Sequence, residues 1–166
     1  MLSRTLFAAF LFGALALSWP HLVHHVAWKG YRDMVAEIHE GRFDLGDKEI
    51  IAPILSHDLV RNCVVLRDET LLILQFYVTA LHAHRAGVNP FFPADDPELT
   101  QHREALFALA AQATACAPMD GELWLNLAVV ARSLGMDTAR VAQFLELSHR
   151  YAPHEARVMA RRDEVF

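Results

Sequence analysis

The sequence predicts an all-α protein in which one apolar N-terminal helix is followed by an array of antiparallel helical hairpins. Composition is the first reason: 54% of the 166 residues are hydrophobic and 21% are charged, and glycine and proline supply only seven residues each. That balance is typical of a helical globular domain and not of a disordered or all-β chain. The second reason is an apolar run at the N-terminus. The third is a series of aspartate, proline and glycine signals that start and stop helices in the rest of the chain.

The N-terminal segment, residues 1–27, has the layout of a signal anchor or a signal peptide. Arg4 precedes an apolar run from Leu6 to Leu17 that only one glycine interrupts, which is the order of charges and apolar residues in such segments. Small residues two positions apart before Ser18 also permit cleavage near that residue. Two interpretations follow from this layout, a retained membrane helix and an exported chain cut near Ser18. A third alternative is a buried N-terminal helix of a soluble protein.

A retained helix can cross a bilayer only if it includes the histidine-rich stretch after the apolar run. Residues 5–19 would cover about 22 Å, which is less than a hydrocarbon core of about 30 Å. Residues 5–26 would cover about 33 Å, with a kink at Pro20, and would place Trp28 and Lys29 at the far interface. The short N-terminal tail and the signal-like layout place the following domain on the non-cytoplasmic, periplasmic side.

Helix signals organise residues 28–166 as one α-helical domain. An amphipathic helix starts at Trp28 and ends at Gly41, and Asp47 caps a segment that runs towards Leu66. Next comes a nearly all-apolar helix, which we expect at the centre of the core. The loop "VNPFFPADD" follows it and leads to three capped helices. The predicted limits of these helices are Asp68 to Gly87, Pro97 to Cys116 after the cap Asp96, Asp120 to Leu134, and Asp137 to Tyr151, and Pro153 starts a short final helix.

The helices after Cys116 resemble a tetratricopeptide (TPR) repeat. Pro118 and Pro153 lie 35 positions apart, and that repeat has about 34 residues. The first helix of the unit matches the repeat at Trp124, Leu127 and Ala128, and the second at Val141, Leu145 and Ser148, while Ala131 stands where the repeat has tyrosine. Because small residues let helices approach closely and large ones fill the space between them, the same positions also make sense as packing positions of any helical hairpin.

The resemblance is good over residues 97–153 and weak before them. The helix that precedes the clear unit is similar to the second half of another unit, with Leu106, Ala110 and Ala113 at matching positions. The "VNPFFPADD" insertion lengthens the link to its partner helix. The resemblance therefore implies about two units, with residues 154–163 as a short capping helix. A generic antiparallel bundle is the alternative.

The resemblance implies a groove, lined by the first helix of each unit, that binds a peptide or a helix of a protein partner. On the clear unit, the residues expected at that surface are Glu122, Leu125, Asn126, Val129 and Arg132. With so few units the groove would be shallow, which favours a larger membrane complex as the partner over a free peptide. The predicted function is therefore a non-catalytic adaptor or scaffold at a membrane, such as a subunit of a cell-envelope complex.

The sequence carries none of the common catalytic and cofactor-binding motifs. It has no GxSxG, no phosphate-binding glycine loop and no GxGxxG. The His-Glu pairs at His39 and His154 are followed by Phe43 and Val158, where the HExxH pattern needs a second histidine. His102 is expected at the solvated surface. The net charge of −5 with scattered basic residues argues against a nucleic-acid partner. We predict no enzyme activity and no cofactor.

Ten histidines suggest the alternative function, a metal- or tetrapyrrole-binding membrane accessory protein. His21 with His24 or His25 would share one helix face in a two-ligand geometry, but no acidic residue or cysteine nearby completes the set. We therefore predict no metal at these histidines. His82 and His84, two positions apart in the apolar helix, should point to different sides, with one of them a core or edge histidine.

The two cysteines, Cys63 and Cys116, lie 53 residues apart and belong to no CxxC or CxxCH pattern. Zinc ribbons, thioredoxin-type redox sites and c-type haem attachment are thereby excluded. A disulfide is consistent with an exported domain, whereas buried free thiols are the commoner fate of such cysteines. Free thiols are our prediction, with the disulfide as the alternative.

Overall fold

The computed structural model describes residues 2–40, Cys63 and residues 70–166, and within these ranges it contains helices and no strand. The helices are α1 (Leu2–His39), α2 (Thr70–Arg85), α3 (Pro97–Cys116), α4 (Gly121–Ser133), α5 (Thr138–Tyr151) and α6 (Ala156–Val165). The predicted all-α class is confirmed. The segment predicted to run from Asp47 towards Leu66 lies outside the described residues except for Cys63.

The chain divides into two compact units, residues 1–43 and residues 44–166. The first unit contains α1, which runs without interruption through Pro20 and over all 38 of its residues. The sequence had suggested two segments here, a membrane span and a separate amphipathic helix from Trp28. A bilayer-crossing helix, which needs sufficient length together with sufficient hydropathy, is not found in the part of the chain that the structure describes.

The apolar helix α2 lies at the core of the second unit, as its hydropathy predicts. Leu71, Leu72 and Leu74 are buried together with the polar residues Thr70 and Gln75. Helix α2 packs against α3, α3 packs against α4, and α4 packs most extensively against α5 and also contacts α6. From α2 to α5, consecutive helices are therefore neighbours in space, which is the arrangement that short links favour.

The predicted starts of α3, α4 and α5 and the predicted stops of α2 and α4 are confirmed. The last helix was predicted to start at Pro153 and to cover residues 154–163, but it begins at Ala156 after the N-cap Glu155 and ends at Val165. Asp96 accepts a hydrogen bond from the Leu99 N–H at 2.9 Å, and Asp120 accepts one from the Glu122 N–H at 2.9 Å. Asp137 caps α5 in the same way. Because aspartate satisfies backbone N–H groups that have no partner within the helix, each of these caps fixes where its helix begins. The glycines predicted to end α2 and α4, Gly87 and Gly135, have φ angles of 68° and 67°, which glycine adopts without strain.

The hairpin of α4 and α5 depends on a glycine at a close helix contact. A Cβ atom built on Gly121 would lie 2.4 Å from the Cβ of Ala152 and 2.6 Å from its backbone nitrogen. The buried Ser148 hydroxyl donates to the Gly121 carbonyl at 2.7 Å. Ala110, Ala113 and Ala128 are buried as well. Small side chains therefore occupy the positions where the helices approach each other, as the sequence predicts.

The long loop between α2 and α3 is held by a buried arginine that the sequence analysis did not identify. Arg103 is 1% exposed, and its Nη2 donates to the carbonyls of Asn89, Pro90 and Phe92 at 3.3, 3.4 and 2.7 Å. Burial lowers the pKa of Arg103, while the negative charge of Asp96 acts in the opposite direction. The loop is thus attached to α3 through its backbone.

Cys63 and Cys116 form a disulfide, with Cα atoms 5.3 Å apart. The prediction of buried free thiols was therefore wrong. Neither side chain lies in the core, since Cys63 is exposed and Cys116, the last residue of α3, is half-buried. Both cysteines of the chain are used in this bond. The disulfide links the end of α3 to a residue 53 positions earlier.

Candidate partner-binding face of helix α4

The residues predicted to bind a partner lie on one stripe of α4, which we call the α4 face. Apart from the adjacent pair Leu125 and Asn126, neighbouring members lie three or four positions apart, so the five residues form one broad stripe of the helix. The face consists of Glu122, Leu125, Asn126, Val129 and Arg132. In the structure, the first four of these residues are buried, with exposures of 0 to 8%, and Arg132 is half-buried.

The middle of the α4 face belongs to the apolar core. Leu125 and Val129 form a buried cluster with Ala152, at the end of α5, and Val158 of α6. Burying an aliphatic side chain of this size stabilises a fold by about 1.5–3 kcal/mol. These two residues therefore hold α6 against α4, and a partner would contact them only after α6 had moved.

The polar end of the α4 face binds two arginines of α6. The side chain of Glu122 is 10% exposed and forms ion pairs with Arg157 and Arg161, the second with an Nη1 to Oε1 distance of 2.8 Å. Arg161 also donates from Nη2 to Oδ1 of Asn126 at 3.0 Å. Charge-assisted hydrogen bonds of this kind are about twice as strong as neutral ones. The carboxylate and the amide together receive two arginines that lie four positions apart on α6.

The far end of the α4 face is formed by a cation–π contact. The guanidinium of Arg132 lies 4.2 Å from the centre of the Phe92 ring and 5.0 Å from that of Phe166. An arginine between two partly exposed rings gains attraction from the ring electrons. Arg132 thereby connects the loop before α3 and the last residue of the chain to α4.

Helix α6 is attached to α5 through a buried arginine. Arg162 is 5% exposed and donates to the Ser148 hydroxyl, the Ser148 carbonyl and the Ala152 carbonyl. Burial lowers the pKa of Arg162, and the charges of Glu155 and Asp163 oppose that effect. Carbonyls at the end of a helix carry partial negative charge, so they are suitable partners for a guanidinium.

The histidines that the sequence analysis considered as ligands have separate positions. His21, His24 and His25 lie within α1, and their side chains are outside the described part of the chain. His82 is half-buried and His84 is exposed, so their side chains differ in environment as expected.

A contact that the sequence analysis missed brings His82 to His102, with ring centroids 4.0 Å apart. Burial lowers the pKa of His102, the nearby His82 lowers it further, and Glu98 acts in the opposite direction. His102 was expected at the solvated surface, but it is half-buried where α2 meets α3. No local pattern signals this contact, because His82 and His102 lie on different helices.

Comparisons of the chain with protein-family models, with curated proteins and with solved structures find no match. Its function has to be inferred from its own residues and contacts.

Proposed function

We propose that the protein is a non-catalytic adaptor that is held at a membrane by its N-terminal segment and binds a protein partner through its TPR-like helices. The observation that carries the proposal is the engagement of the α4 face by an arginine-bearing helix. Glu122 and Asn126 receive arginines, and Leu125 and Val129 receive an aliphatic side chain. A surface with this chemistry is suited to an amphipathic helix.

The partner in this proposal is a helix with the features of α6. Arg157, Val158 and Arg161 supply the two charges and the aliphatic contact that the α4 face receives. Helix α6 has only ten residues, and in the described structure Glu155 at its N-cap makes no side-chain capping hydrogen bond. A helix this short owes its stability to packing. A partner helix with the same pattern would compete with α6 for the α4 face.

The membrane part of the proposal rests on the N-terminal sequence and on the surface of α1. Five large apolar side chains of this helix are 54 to 78% exposed, namely Phe12, Leu15, Leu17, Trp19 and Leu22. Apolar surface is removed from water at a gain of about 25 cal/mol per Å², so a row of such side chains favours contact with lipid. Cleavage near Ser18 and export of the remaining chain is the alternative within this proposal.

The disulfide supports a location of the domain on the non-cytoplasmic side. Disulfides persist in oxidising compartments such as the periplasm and are rare where thiol reductants are abundant. The Cys63–Cys116 bond agrees with the side that the signal-like layout predicts. A subunit of a cell-envelope complex is the role that combines these features.

The partner-binding proposal can be tested by affinity capture from membranes. The full-length wild type is compared with Asn126→Ala/Arg132→Ala, which removes the amide and the guanidinium of the α4 face, and with Gln143→Ala at an exposed position of α5. The first variant should lose the captured partners, and the control should keep them. A third variant, Arg157→Ala/Arg161→Ala, loosens α6 and should capture more.

Equal recovery from wild type and Asn126→Ala/Arg132→Ala would contradict the assignment of the α4 face. Circular dichroism melting of every variant shows whether the domain remains folded at the temperature of capture. Partner recovery is compared only between variants that remain folded at that temperature.

A further inference from the structure

Two histidines and a glutamate converge where α2 meets α3. His82 lies in the last turn of α2, and Glu98 and His102 lie four positions apart at the start of α3, so both point to the same side of that helix. His82 Nδ1 is 3.3 Å from Glu98 Oε1. One ligand atom from each of the three side chains lies within 4.8 Å of the others.

These separations are close to those of a metal site. Zinc binds histidine nitrogen at about 2.0–2.1 Å and carboxylate oxygen at about 2.0–2.2 Å, so the ligand atoms of a tetrahedral site lie roughly 3.3–3.5 Å apart. His82 and Glu98 already have this separation. The His82 and His102 rings are tilted by 31°, so binding of an ion requires rotation of the rings to bring a nitrogen of each to the shared point. Glu98, whose side chain is 72% exposed, is free to move towards the same point.

The backbone around the three side chains is held in place. The Asp96 carboxylate caps α3 two positions before Glu98, and the Asp96 carbonyl accepts a hydrogen bond from Thr100 Oγ1 at 2.8 Å. Gln75 of α2 donates to the carbonyl of His102 at 3.4 Å. Ligands carried by two packed helices need only side-chain rotations to close on an ion, which lowers the entropy cost of binding.

A cleft gives this position access from solvent. It has a volume of about 280 Å³ and is lined by His82, Arg85, Ala86, Asp96, Glu98 and Leu99. Three protein ligands beside an open cleft leave a coordination position for water or for a ligand from another molecule.

We propose that His82, Glu98 and His102 bind one divalent first-row transition cation, for which Zn²⁺ is the probe. Two imidazoles and a carboxylate form a ligand set that zinc accepts. Calcium and magnesium need a shell of oxygen ligands, and the three side chains supply oxygen only from Glu98. The ion joins the end of α2 to the start of α3 and exposes its remaining coordination position in the cleft. This site is separate from the α4 face.

The test is zinc binding by the full-length protein after removal of any affinity tag. Equilibrium dialysis and titration calorimetry should give one Zn²⁺ per chain. Loss of a residue that merely orients a ligand costs about 10- to 100-fold in metal affinity, so loss of a direct ligand should cost at least about tenfold. His82→Ala, His102→Ala and Glu98→Gln should each show that loss, and excess Mg²⁺ should not displace the zinc.

His84→Ala is the matched control, because His84 lies on the same helix but is exposed and outside the cluster. It should bind zinc like the wild type, as should His21→Ala/His24→Ala/His25→Ala. Absence of stoichiometric zinc in the wild type would overturn the proposal. So would full zinc binding by His82→Ala/His102→Ala, or an equal loss of zinc in His84→Ala.

Thermal unfolding separates loss of the site from loss of the fold. An ion that binds only the native state raises the melting temperature by mass action. Zinc should raise the melting temperature of the wild type and of His84→Ala, and leave that of a folded His82→Ala/His102→Ala unchanged. An equal zinc-induced shift in all three proteins would contradict the assignment of the ligands.

Discussion

Buried arginines fix the less regular parts of the protein at the scale of single residues. Arg103 binds three loop carbonyls, and Arg162 binds the end of α5. Removing a guanidinium from water is costly unless its N–H groups find acceptors. Backbone carbonyls accept from Nη2 of both arginines, whereas the buried Nε of Arg103 has no hydrogen-bond partner in the described part of the chain. Arg103 therefore stabilises the loop between α2 and α3, and Arg162 stabilises the junction between α5 and α6.

Gly121 is the residue at which an added methyl group should do the most damage to the α4–α5 hairpin. Gly121→Ala forces a Cβ against Ala152, and overpacking of this kind costs about 1–3 kcal/mol. Chemical denaturation should show that loss in the free energy of unfolding. Gly30→Ala, whose added Cβ meets nothing within 4 Å, is the control and should show no comparable loss.

The double variant Gly121→Ala/Ala152→Gly tests the cause of that destabilisation. Removing the Ala152 Cβ relieves the 2.4 Å contact but leaves the contact of 2.6 Å with the Ala152 nitrogen. Adding Ala152→Gly to Gly121→Ala should therefore restore part of the lost free energy of unfolding, compared with the effect of Ala152→Gly in the wild type. Simple additivity of the two changes would show that this contact is not the cause.

At the scale of elements, α6 differs from the helices that precede it. Helices α3, α4 and α5 each begin with an aspartate cap that bonds to their own backbone. Helix α6 has ten residues and is held by contacts to other elements, through Arg161 to α4 and through Arg162 to α5. Its docking therefore depends on a few side chains, as the proposed competition with a partner helix requires.

Arg162→Ala should release α6 without unfolding the remainder of the domain. The change removes the guanidinium donor of the Ala152 carbonyl and one of the two donors of the Ser148 carbonyl, and hydrogen bonds to a charged group contribute about 1.5–3 kcal/mol each. Amide hydrogen exchange should accelerate in α6 and remain slow in α3 and α4.

Arg150→Ala is the matched control for this prediction. Arg150 lies in α5 and pairs with Glu146 at the exposed surface, where such pairs contribute about 0.3–0.5 kcal/mol. Its effect on exchange in α6 should be small. Equal acceleration in the two variants would contradict a specific role of Arg162.

At the scale of the whole molecule, the disulfide ties α3 to a distant part of the chain. Cys63 and Cys116 are separated by 53 positions, and a bond across a loop of that length restricts the unfolded chain. The α2–α3 junction with its histidine cluster and the α4 face both lie in the unit of residues 44–166. The bond therefore stabilises the unit that contains both proposed sites.

Reduction of the disulfide should lower the stability of the protein by about 2–4 kcal/mol. The measurement is denaturant unfolding with and without dithiothreitol. Cys63→Ser/Cys116→Ser should unfold like the reduced wild type and should not respond to the reductant. A double variant that unfolds at the same denaturant concentration as the oxidised wild type would show that the bond contributes no stability.

Local signals in the sequence account for the end of α2 and for the starts of α3, α4 and α5. A cap such as Asp120 and a stop such as Gly135 act through bonds and backbone angles within a few residues, so they can be recognised without knowledge of the fold. The burial of Ala110, Ala113 and Ala128 is predictable for a similar reason, since small residues recur where helices meet.

By itself, the sequence determined the all-α class, the caps, and the fact that the five residues of the α4 face share one stripe. Only the tertiary structure decided that α6 covers this stripe, that Cys63 pairs with Cys116, and that His82, Glu98 and His102 converge. The physical reason is range. Helix propensity and capping depend on neighbours within about one turn, whereas these three contacts join residues that only the packing of separate helices brings together.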